Sequence, residues 1–199
     1  MKIIKSILRF IKNVLLFRRE YLPGYKTKFL LFGKHSIIHY PSNIPNKECV
    51  SIGENSTILS GSRIQVYNSL TGLSANVTIG NNCYIGTNFS ILAGANVVIE
   101  NEVLIASNVL ITSEDHGMNP ESEIPYMNQP LICKEVRVGE GTWIGEKVSV
   151  LPGVRIGRKC IIGTNAVVTK DVPDYSIVAG IPARVIKTYN FNKHMWEKI

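Results

Sequence analysis

Four histidines stand in the 199 residues, and His116 has the setting of a proton acceptor. It closes the run Ser113-Glu114-Asp115-His116, where a regular sequence pattern breaks off into a polar, proline-bearing stretch. Imidazole titrates near neutral pH, so a histidine at such a junction suits removal of a proton from an attacking nucleophile. Asp115 is one candidate to orient its ring. A residue adjacent in sequence often cannot fold back onto its neighbour's ring, so a carboxylate or main-chain carbonyl from elsewhere is the alternative. His35 and His39 lie in an irregular N-terminal region and His194 in the C-terminal tail. Cys49, Cys83, Cys133 and Cys160 are scattered without CxxC spacing and read as thiols of a reducing compartment, with no disulfide and no metal. No serine or cysteine stands in a nucleophile's setting, which argues against a covalent enzyme intermediate.

The pattern that His116 interrupts has a beat of six. It runs from Ile52-Gly53 to Arg63, through Ile79-Gly80, Ile85-Gly86, Ile91, Ile99, Ile105-Ala106 and Ile111, and from Val138-Gly139 through Ile144-Gly145, Val150, Ile156-Gly157 and Ile162-Gly163 to Val168. A large aliphatic at every sixth position, followed by a small residue, marks a parallel β-helix whose hexapeptides each form a short strand and a turn. The aliphatics stack inward, rung above rung. Asn55, Asn82, Asn88, Asn101, Asn108 and Asn165 suit left-handed corners, and compact residues such as Ser56, Cys83, Thr142, Cys160 and Ala166 fill them. A sandwich would instead show period-two strands joined by Asn-Gly or Asp-Gly turns, and neither dipeptide occurs.

These elements divide the chain. Residues 1–20 carry Lys2, Lys5, Arg9 and Lys12 as one stripe of a basic amphipathic helix, too charged for a signal peptide and too short in its apolar run to span a membrane. It either docks on the coil or a neighbouring subunit, or rests on an anionic membrane surface. Residues 21–50 read as an irregular cap, 51–187 as the β-helix, 113–136 as one long excursion loop, and 188–199 as a short C-terminal tail helix. Tyr67–Asn76 reads as a smaller edge loop. The net charge of +7 favours anionic partners, but no basic run interleaved with aromatics points to nucleic acid.

The runs VRVGEGTWIGEKVSVLPGVRIG (136–157), IIGTNAVVTKDVP (161–173) and AGIPARVIK (179–187) resemble the C-terminal half of the left-handed β-helix acetyltransferases. That family includes galactoside, maltose, xenobiotic and polysaccharide O-acetyltransferases; the basic N-terminus, the Asp-His loop and the Thr-Trp-Ile-Gly run most resemble its surface-polysaccharide branch. The resemblance implies a left-handed coil, a homotrimer, acetyl-CoA as co-substrate in the groove between neighbours, and a cytoplasmic enzyme. It makes His116 the catalytic base and Trp143 a wall of the acyl-transfer site. It places Thr164, Thr169, Lys170, Arg184 and Lys187 along the CoA groove, the last two at the phosphates, where cations suit the several negative charges of CoA. For a carbohydrate acceptor, Asn88, Asn119, Glu121 and Tyr126 are available.

The expected reaction is direct acetyl transfer to a sugar hydroxyl in bacterial surface polysaccharide synthesis. The alternative within the family is N-acetylation of a nucleotide-linked amino sugar; such enzymes often carry an extra N-terminal domain with a Gly-rich turn, which this sequence lacks. Serine acetyltransferase is weaker because its large helical domain is absent, and antibiotic acetylation stays open. A zinc hydratase on the same coil would need three converging histidines, and only His116 is suitably placed. A non-catalytic scaffold would not need His116, Trp143 and the closing basic motif together.

Overall fold

Stacking one aliphatic per hexapeptide requires that the chain return to the same face every three strands, and it does. The computed structural model describes residues 26–199; the helix expected over residues 1–20 lies outside them. One parallel sheet contains Leu31–Phe32, Val50–Ile52, Val77–Ile79, Val97–Ile99, Val136–Val138 and Arg155–Ile156. A second begins with Ile37–Ile38, Thr57–Ile58, Tyr84–Ile85, Leu104–Ile105, Trp143–Ile144 and Ile161–Ile162, and a third holds Arg63–Val66, Ser90–Ala93, Leu110–Thr112, Ser149–Val150 and Val167–Val168. Register places Ile38, Ile58, Ile85, Ile105, Ile144, Ile162 and Val178 in one inward column of the second face. Each is at most 2% exposed.

The spacing along that column records the insertions. Ile144 pairs with Ile162, three hexapeptides on. Ile58 to Ile85 is longer because the chain throws out the helical turn Asn68–Thr71, and Ile105 to Ile144 longer still because of the excursion that carries His116. The corners are knit by small polar side chains. The Ser56 hydroxyl donates to the Gly80 carbonyl at 2.8 Å and accepts from the Cys83 amide at 3.0 Å, and Thr142 makes the same pair of bonds to Gly157 and Cys160 at 2.8 and 3.1 Å. Cys83 and Cys160 are buried and burial pushes both thiols up, which makes them structural rather than reactive. Five of the six expected asparagines adopt positive φ; at the sixth corner it is Glu102, not Asn101, with φ 59°. The Asn101 side chain instead accepts the Asn81 amide one rung away at 2.9 Å.

The C-terminal helix expected over 188–199 does not form. Ser176–Gly180 leaves the coil as its last parallel strand, turns back as Ala183–Asn190, and turns again into Met195–Lys198, both additions antiparallel. Val185 packs against the core, and Tyr189 meets Phe191 and Trp196 edge-on at centroid distances of 5.1 and 5.3 Å, so cross-strand contacts favour the hairpin over a helix. The longest helical segment among the described residues is the four-residue Asn68–Thr71, and none is long and apolar enough to cross a membrane.

Candidate functional site

The excursion is not a free loop. Glu114–Asp115 pairs antiparallel with Ile132–Cys133, and the tip is knotted around Gln129, which is buried. Its amide accepts from the Asn119 N–H at 3.0 Å and donates to the carbonyls of Asn119 and Ile124 at 3.0 and 2.9 Å. Because strand side chains alternate, Glu114 and His116 share a side and Asp115 takes the other. Glu114 and His116 both line a cleft of about 540 Å³ with Tyr67, Leu70, Met127 and Leu131; Asp115 does not line it and is exposed. Among the described residues neither ring nitrogen of His116 has a hydrogen bond or ion pair, so Asp115 does not orient the ring in this conformation.

Glu114 is the residue that sequence reading passed over; its signal was the two-residue alternation once this run is a strand. Burial pushes its carboxyl up, while His116 pulls it down and Asp115 adds to the rise. Gly94 sets its position. A Cβ there would lie 2.6 Å from the Cys133 sulfur and 2.7 Å from the Glu114 Cβ, so only glycine lets the ribbon dock on the coil. Gly94→Ala should therefore displace the ribbon and lower turnover by about a hundredfold, since a shift near 1 Å is enough for that. Cys133→Ala in the same background should restore part of the rate; full activity in the single variant would show that the ribbon tolerates the shift.

The residues expected to bind CoA gather elsewhere. On the second face, Ile37, Thr57, Tyr84, Leu104 and Trp143 form one outward column, its four large members each between 37% and 49% exposed. Ile161 and Ile177 extend it beyond Trp143, and Lys187 pairs with Ile177 at its end. A bulge between Ile177 and Val178 shifts the register so that Arg184 pairs with Ala179. Cross-strand partners share a side, so Arg184 and Lys187 both lie on the outward side despite their odd spacing. Thr164 is exposed at the corner between second and third faces, and Thr169 and Lys170 follow the last third-face strand, Val167–Val168.

Two expected acceptor residues lie apart from the cleft. Asn88 is a left-handed corner whose amide donates to Asn108 at 3.2 Å, and Asn108 donates to Glu146 at 3.3 Å. Tyr126 is exposed on the short turn Tyr126–Asn128, from which Met127 and Asn128 reach the cleft instead. One chain thus keeps the two groups of candidate residues apart: Glu114 and His116 on the excursion, a cation-ended apolar column on the second face. A further cleft of about 520 Å³ on the first face holds Arg137, Arg155 and Arg158, but Arg137 pairs with Glu100 at 2.9 Å and Arg158 with Asp174 at 3.0 Å, which makes it rung-to-rung stitching. Among the described residues no group of three or more His, Cys, Asp or Glu side chains is gathered for a metal ion.

Known proteins share this architecture. The six-repeat bacterial transferase hexapeptide signature matches residues 135–170, and the hexapeptide repeat of succinyl-transferase matches 76–113. WbbJ of Escherichia coli K12, whose name assigns it to lipopolysaccharide biosynthesis O-acetyl transfer, is 34% identical, the alignment covering 81% of this chain and 83% of that one. The galactoside O-acetyltransferase of the same organism is 32% identical over 80% of this chain and 77% of its own. Among solved structures, the N-acyltransferase AntD from Bacillus cereus, in complex with dTDP and 3-hydroxybutyryl-CoA, superposes with a TM-score of 0.72 at 24% identity, covering 89% of this chain and 92% of that one. A point mutant of AntD is also solved with dTDP-4-amino-4,6-dideoxyglucose and coenzyme A, at the same TM-score of 0.72, 23% identity and coverage of 89% and 91%. At these identities the superpositions establish the fold. Coverage of more than two thirds of both Escherichia coli chains at 34% and 32% identity goes further: this chain belongs to the hexapeptide-repeat acetyltransferase family and is an acyl-CoA-dependent acyltransferase.

Proposed function

We propose that the chain transfers an acetyl group from acetyl-CoA to the amine of a nucleotide-linked sugar, with His116 as general base. The observation that carries this reading is the likeness to AntD over 89% of this chain. The sequence reading favoured a hydroxyl acceptor; AntD, an N-acyltransferase, is solved with a dTDP-linked amino sugar, and 91% of that chain is covered by this one. The second reading, transfer to a hydroxyl of a surface polysaccharide, rests on the 34% identity to WbbJ.

In this reading the second face holds the donor. Arg184 and Lys187 meet the phosphates, the column ending at Trp143 and Leu104 walls the pantetheine, and Thr164, Thr169 and Lys170 line its path. A neighbouring copy in a homotrimer covers the apolar column and brings its own His116 to the thioester, joining the two halves that one chain keeps apart. The proton leaves the attacking atom for His116 as the thioester C–S bond breaks, and the CoA thiolate takes it up. The reading carries a cytoplasmic location, with residues 1–20 available for contact with the inner face of the membrane.

Thermal unfolding with acetyl-CoA, followed by transfer to dTDP-4-amino-4,6-dideoxyglucose, tests this. Ligand at about a hundredfold over its dissociation constant stabilises by about 2.7 kcal/mol. Arg184→Ala with Lys187→Ala should weaken donor affinity by about tenfold to a hundredfold, in proportion to the charge-assisted bonds removed. A saturable shift insensitive to this double variant would move the phosphates to another surface; no shift at all would remove acetyl-CoA as donor.

A further inference from the structure

We propose that the Glu114 carboxylate receives the acceptor's ammonium group and so selects an amino sugar over its hydroxyl twin, an inference that rests on the sugar acyltransferase reading above. The cleft holds Glu114 and His116 among largely apolar side chains, and among the described residues no lysine or arginine lines it. Two of its polar neighbours are already committed, which leaves the Asn128 amide as the uncharged polar group of the cleft. The Gln129 amide makes its three bonds within the excursion, and the Tyr67 hydroxyl donates to Gln65 at 3.0 Å. Among the described residues the Glu114 carboxylate accepts no hydrogen bond and forms no ion pair. A half-buried carboxylate without a partner is costly, and a cationic ligand is the group that relieves it; a sugar hydroxyl brings no charge.

The surroundings set its protonation as well as its place. The groups that act on it are His116 on its own side of the ribbon, Asp115 on the other, Cys133 across the ribbon and Tyr67 from the coil; Tyr67 in turn feels Arg63. Burial dominates and raises the Glu114 carboxyl, which makes it a stronger proton acceptor than an ordinary carboxylate. The steps balance. Glu114 takes one proton from R–NH3+, leaving a neutral amine whose lone pair forms the new C–N bond at the thioester carbonyl. The C–S bond breaks, the second N–H proton passes to His116, and the CoA thiolate takes it. Glu114 returns its proton to water, so the products are the amide, CoASH and H+.

Two matched pairs test the proposal with acetyl-CoA and the full chain: dTDP-4-amino-4,6-dideoxyglucose against dTDP-6-deoxyglucose, and glucosamine against glucose. Wild type should favour the amine of a pair. Glu114→Gln should lower kcat/KM for the amine by about tenfold to a hundredfold, leave the hydroxyl twin and the KM for acetyl-CoA within about twofold, and so collapse the preference. Glu114→Asp should recover part of it. A carboxyl raised in the fold loses stability as pH climbs through its folded pKa, so the neutral glutamine should unfold no earlier than wild type at pH 7. Equal loss on both twins would assign Glu114 to holding His116 and overturn the proposal. Transfer to the hydroxyl alone, or to neither member of either pair, overturns it too; a retained acetyl-CoA shift would then leave the acyltransferase reading intact.

Discussion

His116→Ala should cut acetyl transfer by about a hundredfold to ten-thousandfold, the range expected for loss of a general base, with its melting temperature unchanged. The two halves of this expectation come from different observations. The catalytic loss follows from His116 being the histidine that lines the cleft. The unchanged stability follows from its exposure and its lack of partners, since no rung of the coil depends on its ring. His39→Ala is the matched control, as His39 lies in the first coil, where its backbone N–H pairs with Ile58 at 2.8 Å. His35 and His194 serve less well because both occupy positive-φ positions, where alanine would strain the backbone. A His116→Ala enzyme that keeps its rate, with donor binding intact, would mean that the reaction proceeds without an imidazole.

The core was legible in the sequence because one geometric rule governs it. The three inward columns are written together as an aliphatic at each sixth position, and insertions only lengthen the interval between column members, as Ile105 and Ile144 show across the excursion. Corners were less legible. Asparagine marks five of them, but Glu102, Lys147 and Lys159 adopt the same backbone because the rungs on either side fix it, a tertiary demand that residue type does not reveal. The C-terminal hairpin was missed for a related reason. Its strands are stabilised by the aromatic contacts of Tyr189, Phe191 and Trp196 with one another, and by a last coil strand whose edge was still open. Glu114 was hidden because its orientation depends on a strand pairing with Ile132–Cys133, at the far end of the excursion and outside any repeat. Arg184 and Lys187 were recognised by motif, but the bulge that aims both to one side is visible only in the register.

Ile144 and Trp143 are neighbours in one two-residue strand, and their removal should have opposite consequences. Ile144 points inward between Ile105 and Ile162 and is fully buried. Ile144→Ala leaves a cavity that two fixed neighbours cannot close, so it should cost about 2–5 kcal/mol. In a chain of this size each kcal/mol shifts the melting temperature by about 2–4 °C. Trp143 points outward beside Leu104 and is 49% exposed, so Trp143→Ala should leave the stability of the isolated chain within about 0.5 kcal/mol. What it should remove is the proposed association over the apolar column, together with the donor affinity proposed for that face. Melting measured at two protein concentrations separates these effects, because a folded oligomer gains stability with concentration by mass action. Wild type and Ile144→Ala should both show the dependence, the second from a lower baseline, and Trp143→Ala should lose it. If Trp143→Ala melts as early as Ile144→Ala with no concentration dependence in either, the outward column supports the chain itself. The second face would then have no need of a neighbour.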